Sequence, residues 1–287
     1  MEVHSEAVEE QSIPLGKVVA RLNRLLEEDP EGSRIPVVLL STGSFAPVHR
    51  MHYQVFEVAK QWLESRYSFS VVGGFLSPSH DDYVGAKMRK SGAGLIEASH
   101  RLAMCRLLVE QEHRSDWVAV SSWEVDSPQG FHDFPVVARY HNQHLRERLS
   151  ALLGEKEDQK PLLKLVSRLR LFYLCGADHA SNCFFFIKGG IPALPQIGIV
   201  AVGRPGYTEQ LKRFSQISAR REGGGGGKGQ EEETLHFILV ESEMQDTSST
   251  LIRKRLAAGQ SIADLTGSAV ADYIESNDLR KLFAYLP

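Results

Sequence analysis

Six apolar runs of strand length are spaced along this chain, and a stretch with helical spacing follows all but one of them. The runs are VVLL (37–40), FSVVGGF (69–75), WVAVS (117–121), LRLFYLC (169–175), IGIVAV (197–202) and LHFILV (235–240). Helical patterns occupy 50–65, 97–112, 134–153 and 206–217, and two more follow the last run near 249–258 and 262–276. A strand that is apolar at nearly every position has no side to give to water, so both its faces must be covered. Such strands separated by helices predict parallel pairing through helical crossovers. The expected fold is α/β, a Rossmann-like doubly wound parallel sheet, with its ligand site beyond the carboxyl ends of the strands.

The organisation expected is a single domain over 35–287 behind an N-terminal extension, 1–34. In that extension Leu15, Val18, Val19, Leu22, Leu25 and Leu26 share one helical face, and Asp29-Pro30-Glu31-Gly32 ends the helix. Two segments read as flexible insertions: the charged GEKEDQK at 154–160, and RREGGGGGKGQEEET at 220–234.

Composition removes several function classes. A formal net charge of -3 provides no global field for nucleic acid or an anionic membrane, so any anion site must be local. No apolar run reaches the ~18 residues of a membrane span. Cys105, Cys175 and Cys183 form no CxxC pair and suit a reducing compartment. The start, MEVHSEAVEEQ, is acidic and lacks the apolar core of a signal peptide. The expected location is the cytoplasm, the nucleus or both, with no nucleic-acid or membrane partner.

The first run leads into GSFAPVHRMH, residues 43–52. Gly43 permits a sharp turn, Pro47 directs the chain, and His49 and His52 fall on one face at the start of the next helix. A helix N-terminus has free N–H donors and a partial positive charge, so two imidazoles there make a candidate phosphate site. Structural histidines and a zinc site are the alternatives, but no carboxylate or cysteine ligand lies nearby. The turn is neither a Walker loop nor a GxGxxG fingerprint, which argues against hydride transfer. After the last run, TSSTLIR (247–253) offers capping hydroxyls, with Arg253 three residues past Thr250, a set suited to a polyphosphate.

The pairing of GSFxPxHxxH with SSTxIR resembles the signature of the HxGH-type nucleotidyltransferases. The surrounding segments MHYQVFEVAK, FLSPSHDDY, HRLAMC, SSWEVD, LCGAD and TSSTLIRKRLAAGQSI are similar to those of eukaryotic nicotinamide/nicotinic acid mononucleotide adenylyltransferases. The resemblance implies adenylyl transfer from ATP to nicotinamide mononucleotide (NMN) or nicotinic acid mononucleotide (NaMN). The products would be NAD or deamido-NAD and pyrophosphate, with Mg²⁺ accompanying ATP and no dedicated protein metal cage. It implies catalytic roles for His49, His52 and Arg253. ATP would meet Gly43, Ser44, Phe45, His49, His52, Gly176, Asp178, Arg204, Ser249, Thr250 and Arg253. The mononucleotide would meet Ser44, Lys87, Trp123, Asp178 and one of Phe184–Phe186, with Phe185 assigned. Homo-oligomers occur in the family, so one is expected as possible here.

Three departures from the family pattern stand out: Ala46 where a polar residue is usual, His49 in place of threonine, and HASNCFFFIKGG where a second tryptophan is expected. The first two are compatible with activity; the third motivates another phosphate acceptor or ATP hydrolysis as an alternative, beside a nucleotide-binding module without turnover. His141 and His144 read as structural, and Cys175 as a small buried hydrophobe.

Overall fold

The computed structural model describes residues 12–111, 116–154, 157–182, 197–209, 211–212, 237–242, 244 and 247–283. In chain order these form α1 (Gly16–Glu28), β1 (Ile35–Gly43), α2 (Arg50–Arg66), β2 (Phe69–Pro78), α3 (Asp81–Lys90), α4 (Ala98–Gln111) and β3 (Val118–Val120). There follow α5 (Phe134–Leu153), α6 (Lys160–Arg168), β4 (Arg170–Gly176), α7 (Ala177–Asn182), β5 (Ile197–Val202) and β6 (Phe237–Val240). The helices α8 (Ser249–Ala257), α9 (Ala263–Thr266) and α10 (Ser268–Ser276) come next, and a 3₁₀ turn at Leu279–Phe283 ends the described elements. Among the described residues no helix is long and apolar enough to cross a membrane.

All six strands pair in parallel in the order β3-β2-β1-β4-β5-β6. Both faces are covered, as the apolar runs require. Val37 and Leu39 pack into one core with Phe56, Leu108, Ile252 and Ile274, while Val38 and Leu40 enter the opposite core with Leu22, Leu145 and Leu165. Helix α1 therefore belongs to the sheet's second layer: Val18, Leu22 and Leu25 are buried there, and Lys17 Nζ donates to the Val118 carbonyl at 2.5 Å.

Strand order reverses between β1 and β4, which lie side by side with Leu40 opposite Tyr173. That switch point is where a doubly wound sheet leaves a crevice, because the connections leaving the two strands go to opposite faces.

Two helices depart from the sequence expectation. DDYVGAKMRK forms α3 although its charged residues obscure the apolar stripe; Val84 and Met88 supply its buried face, and the His80 ring accepts the Asp82 N–H at its start. KPLLKLVSR forms α6, so the segment read as a loop at 154–160 leads through a short 3₁₀ turn at Glu157–Gln159 into a helix burying Leu162, Leu165 and Val166. The segment 220–234, Cys183 and Phe184–Phe186, including Phe185, lie outside the described residues.

Candidate active site

A cavity of about 410 Å³ opens at the carboxyl ends of β1 and β4. It draws lining residues from Thr42, Gly43 and Phe45 on the first turn, Tyr173, Gly176 and Asp178 on β4 and α7, Arg204 after β5, and Ser248–Thr250 and Arg253 at the start of α8. His49, His52 and Lys87 also line it. A second cavity, of about 380 Å³, meets the first at Arg204.

The first turn is tightly built. Phe45 is buried with φ 43, a left-handed backbone rare for a bulky side chain, and its ring meets the His52 ring edge-on at 4.8 Å. A Cβ on Gly43 would lie 3.0 Å from that phenyl ring and press against it, so glycine eases the close approach. His49 caps α2, and its N–H donates to His52 Nδ1 at 3.1 Å. That bond leaves the neutral His52 ring with its proton on Nε2, available as a donor. The two imidazoles stack at 3.7 Å.

Burial, with Arg204 nearby, pushes the His49 pKa down to about 3. Burial, His49, Lys87 and Arg204 hold His52 well below its ordinary value. Both are therefore neutral N–H donors in the open site at pH 7, and the fixed positive charge comes from Arg204, Arg253 and Lys87. Burial and the neighbouring Arg253 also lower the Lys87 pKa from its ordinary value. His49 Nδ1 is buried without a hydrogen-bond partner, an orphaned polar atom at the cavity wall.

The second motif reaches the first directly. Ser248 caps α8 by accepting the Leu251 N–H at 3.2 Å. Ser249 Oγ donates to the Pro47 carbonyl and Arg253 Nη1 to the Ala46 carbonyl, each at 2.9 Å, while Arg253 Nη2 donates to Thr250 Oγ1 at 3.1 Å. Across the cavity Arg204 Nη1 pairs with Asp178 Oδ2 at 2.8 Å. A Cβ on Gly176 would sit 2.5 Å from Asp178 Oδ1, so this glycine makes room for the carboxylate.

The structure thus brings together Gly43, Phe45, His49, His52, Lys87, Gly176, Asp178, Arg204, Ser249, Thr250 and Arg253. Ser44 stands just behind the wall, its hydroxyl accepting from Lys87 Nζ at 3.1 Å. Trp123 is not among the lining residues; its indole stacks on Tyr140 at 4.0 Å and on His132 at 5.2 Å. His141 is buried, with one ring nitrogen 2.8 Å from the Val137 carbonyl and the other 3.0 Å from Ser121 Oγ, in keeping with a structural histidine. Thr42, Tyr173, Cys175 and His179 line the cavity without having been singled out for it from the sequence. Tyr173 and Cys175 alternate just before Gly176, and Thr42 just precedes Gly43, so their place at strand ends was the available signal. Thr42 Oγ1 and the Tyr173 hydroxyl share a hydrogen bond at 3.0 Å, and burial drives the Tyr173 pKa well above its ordinary value.

A parallel sheet with its crevice at the β1/β4 switch point, walled by N–H donors, hydroxyls and three cations, defines a nucleotide-phosphate-binding α/β protein. The profile of the cytidylyltransferase-like family matches residues 40–255, and the chain belongs to that family. It is 28% identical over 278 residues to nicotinamide/nicotinic acid mononucleotide adenylyltransferase 1 of Bos taurus, covering 85% of this chain and 88% of that one. The Drosophila melanogaster nicotinamide-nucleotide adenylyltransferase is 29% identical over 85% of this chain and 61% of its own length. Among solved structures, the Plasmodium falciparum nicotinic acid mononucleotide adenylyltransferase complexed with NaAD shares the fold at TM-score 0.50 and 13% identity, covering 86% of this chain and 98% of that one.

Proposed function

We propose that this chain transfers the adenylyl group of ATP to NMN, NaMN or both, forming the dinucleotide and pyrophosphate. The observation that carries the reading is the meeting of the two motifs, 207 residues apart at the Arg253–Ala46 bond, on one cavity walled by Lys87, Arg204 and Arg253. The bovine and fly relatives, named for this activity, support the choice of acceptor.

The chemistry needs no covalent intermediate on the protein. A phosphate oxygen of the mononucleotide attacks the α-phosphorus of ATP in line, and the bond to the bridging oxygen of pyrophosphate breaks. His52 Nε2–H and Arg253 meet the charge that gathers on the phosphates, and Ser249 and Thr250 lie on the same side. Lys87 is placed to hold the acceptor's phosphate, and Arg204 and Asp178 to hold nucleotide groups across the cavity. Preorganised donors of this kind act without reorganisation during the reaction. Asp178 is the one carboxylate among the described lining residues, and it is paired with Arg204. Mg²⁺ would enter with ATP, and Asp178 is the carboxylate among the described lining residues that would help hold it. When bound, the ion offsets charge on the leaving phosphates.

The test is incubation of purified protein with ATP, Mg²⁺ and either NMN or NaMN, with chromatographic separation of products. Dinucleotide is expected, and the ratio of the two rates gives the acceptor preference. Hydrolysed ATP alone, or no turnover, overturns the proposal.

A further inference from the structure

Three side chains from outside the first turn hold its carbonyls. Two belong to α8: Ser249 on Pro47 and Arg253 on Ala46. The third is Arg101 of α4, whose Nη1 donates to the Ser44 carbonyl at 3.1 Å. Arg101 is 0% exposed and does not line the cavity. Its Nε donates to the Ile96 carbonyl at 3.0 Å, and its Nη2 to Asp81 Oδ1 at 2.7 Å. Asp81 Oδ2 in turn accepts the Ala98 N–H at 3.1 Å. A buried guanidinium is costly to desolvate, and its neighbours on α4, Leu102 and Cys105, show that an apolar side chain would suit simple packing. What an apolar side chain could not do is grip a carbonyl.

The Ser44–Phe45 peptide is trans and planar, so the Ser44 carbonyl and the Phe45 N–H point in opposite directions. The pull of Arg101 on the carbonyl therefore turns the N–H away from α4. Phe45 lines the cavity, and its N–H has no acceptor among the described residues. A peptide flip would reverse both groups, and the left-handed φ of Phe45 makes this turn one that needs an external hold.

We propose that Arg101 is a positioning residue for adenylyl transfer: it locks the Ser44–Phe45 peptide so that the Phe45 N–H donates to a phosphate oxygen of ATP. This rests on the reading given under Proposed function. Arg101 touches no substrate; it acts through one backbone amide.

The experiment compares full-length wild type with Arg101→Lys and Asp81→Asn. It measures thermal midpoints, steady-state constants for both substrates, and calorimetric binding of α,β-methylene-ATP. Arg101→Lys is expected to fold and to lose roughly 10- to 100-fold in kcat/KM for ATP, the scale of one misplaced donor. KM for the mononucleotide should stay within about threefold, a split that general loosening would not produce. The analogue should bind at least about 10-fold more weakly, the loss of one charge-assisted hydrogen bond. Asp81→Asn keeps the arginine but weakens its anchor, so it should show the same split at smaller size. A folded Arg101→Lys with unchanged ATP constants and analogue affinity overturns the proposal, as does an equal loss for both substrates. If Arg101→Lys does not fold, Asp81→Asn decides by the same criteria. If the wild type forms no dinucleotide, the adenylyltransferase reading fails separately, and analogue affinity in the variants still decides the role of Arg101.

Discussion

Arg253 donates to the Ala46 carbonyl at 2.9 Å and so welds the start of α8 to the turn that follows β1. Its other Nη nitrogen donates to Thr250, leaving the guanidinium at the cavity wall with its orientation set. One residue both shapes the turn and holds a cation at the cavity wall. Lysine cannot do both, because a point charge on a flexible stem lacks the planar fork. Arg253→Lys should therefore lower kcat/KM for ATP by roughly 100-fold, the size of one lost preorganised contact. Steady-state kinetics at saturating mononucleotide checks this, and a loss under about threefold would remove Arg253 from the phosphate site.

His52 stands where its Nε2–H can meet a phosphate, at the cavity wall beside Phe45 and His49. His52→Ala should cut kcat by about 10²- to 10³-fold, the range for one oxyanion donor, with the fold retained. Near-normal turnover in a protein with wild-type circular dichroism would falsify the assignment.

Gly176→Ala tests the opposite wall. The added methyl would meet Asp178 Oδ1 at 2.5 Å and must displace the carboxylate, opening its ion pair with Arg204. Activity should fall by roughly 10-fold or more while stability changes little, because the group displaced is the end of a half-exposed side chain. A crystal structure of the variant with the Asp178–Arg204 pair intact and activity unchanged would contradict this.

The buried histidines predict acid sensitivity. His49, at about 3, and His141, pushed down by burial to about 4, lie below the unfolded value of 6.5, as does His52. Between 6.5 and those values the unfolded chain binds protons that the folded chain refuses. Stability supplied by the neutral imidazoles is thus full above 6.5 and is lost as pH falls toward 4 and 3, each group contributing up to about 1.4 kcal/mol per pH unit. Urea titrations of wild type and His141→Gln at pH 7, 6 and 5 should converge as pH falls. Parallel pH profiles would show that His141 does not titrate this way.

Glu124 predicts the reverse slope on the alkaline side. It is 1% exposed, both its carboxyl oxygens are buried without a hydrogen-bond partner, and burial pushes its carboxyl up to about 8, partly offset by the positive charge of Arg101. From 4.5 to about 8 the folded state holds a proton that the unfolded state has released, so stability falls as pH rises through that window. Glu124→Gln should match wild type near pH 5 and exceed it at pH 8.5 in denaturation experiments. Equal stability at both pH values would mean that Glu124 is ionised in the fold.

Much of this site was visible before any tertiary structure. The glycine-led turn, the two histidines and the SSTLIR segment could be recognised because their chemistry is local: each lies just past a strand or at a helix start. Lys87 could be proposed, yet α3 could not be seen, since DDYVGAKMRK shows charge where a stripe was sought. Trp123, assigned to the pyridine nucleotide by resemblance, packs on Tyr140, a partner chosen by the way α5 crosses the sheet.

The amino-acid sequence by itself determined the strand-forming runs, the need to cover both faces of the sheet, and the places where the chain could turn beside a ligand. These depend on side chains only a few residues apart. The tertiary structure alone decided that β4 lies beside β1, with Leu40 opposite Tyr173, and that Arg101 reaches back 57 residues to the Ser44 carbonyl. Pairing order and buried polar contacts arise when distant segments compete to satisfy the same backbone groups. That competition is settled by packing the whole chain at once, which no local pattern encodes.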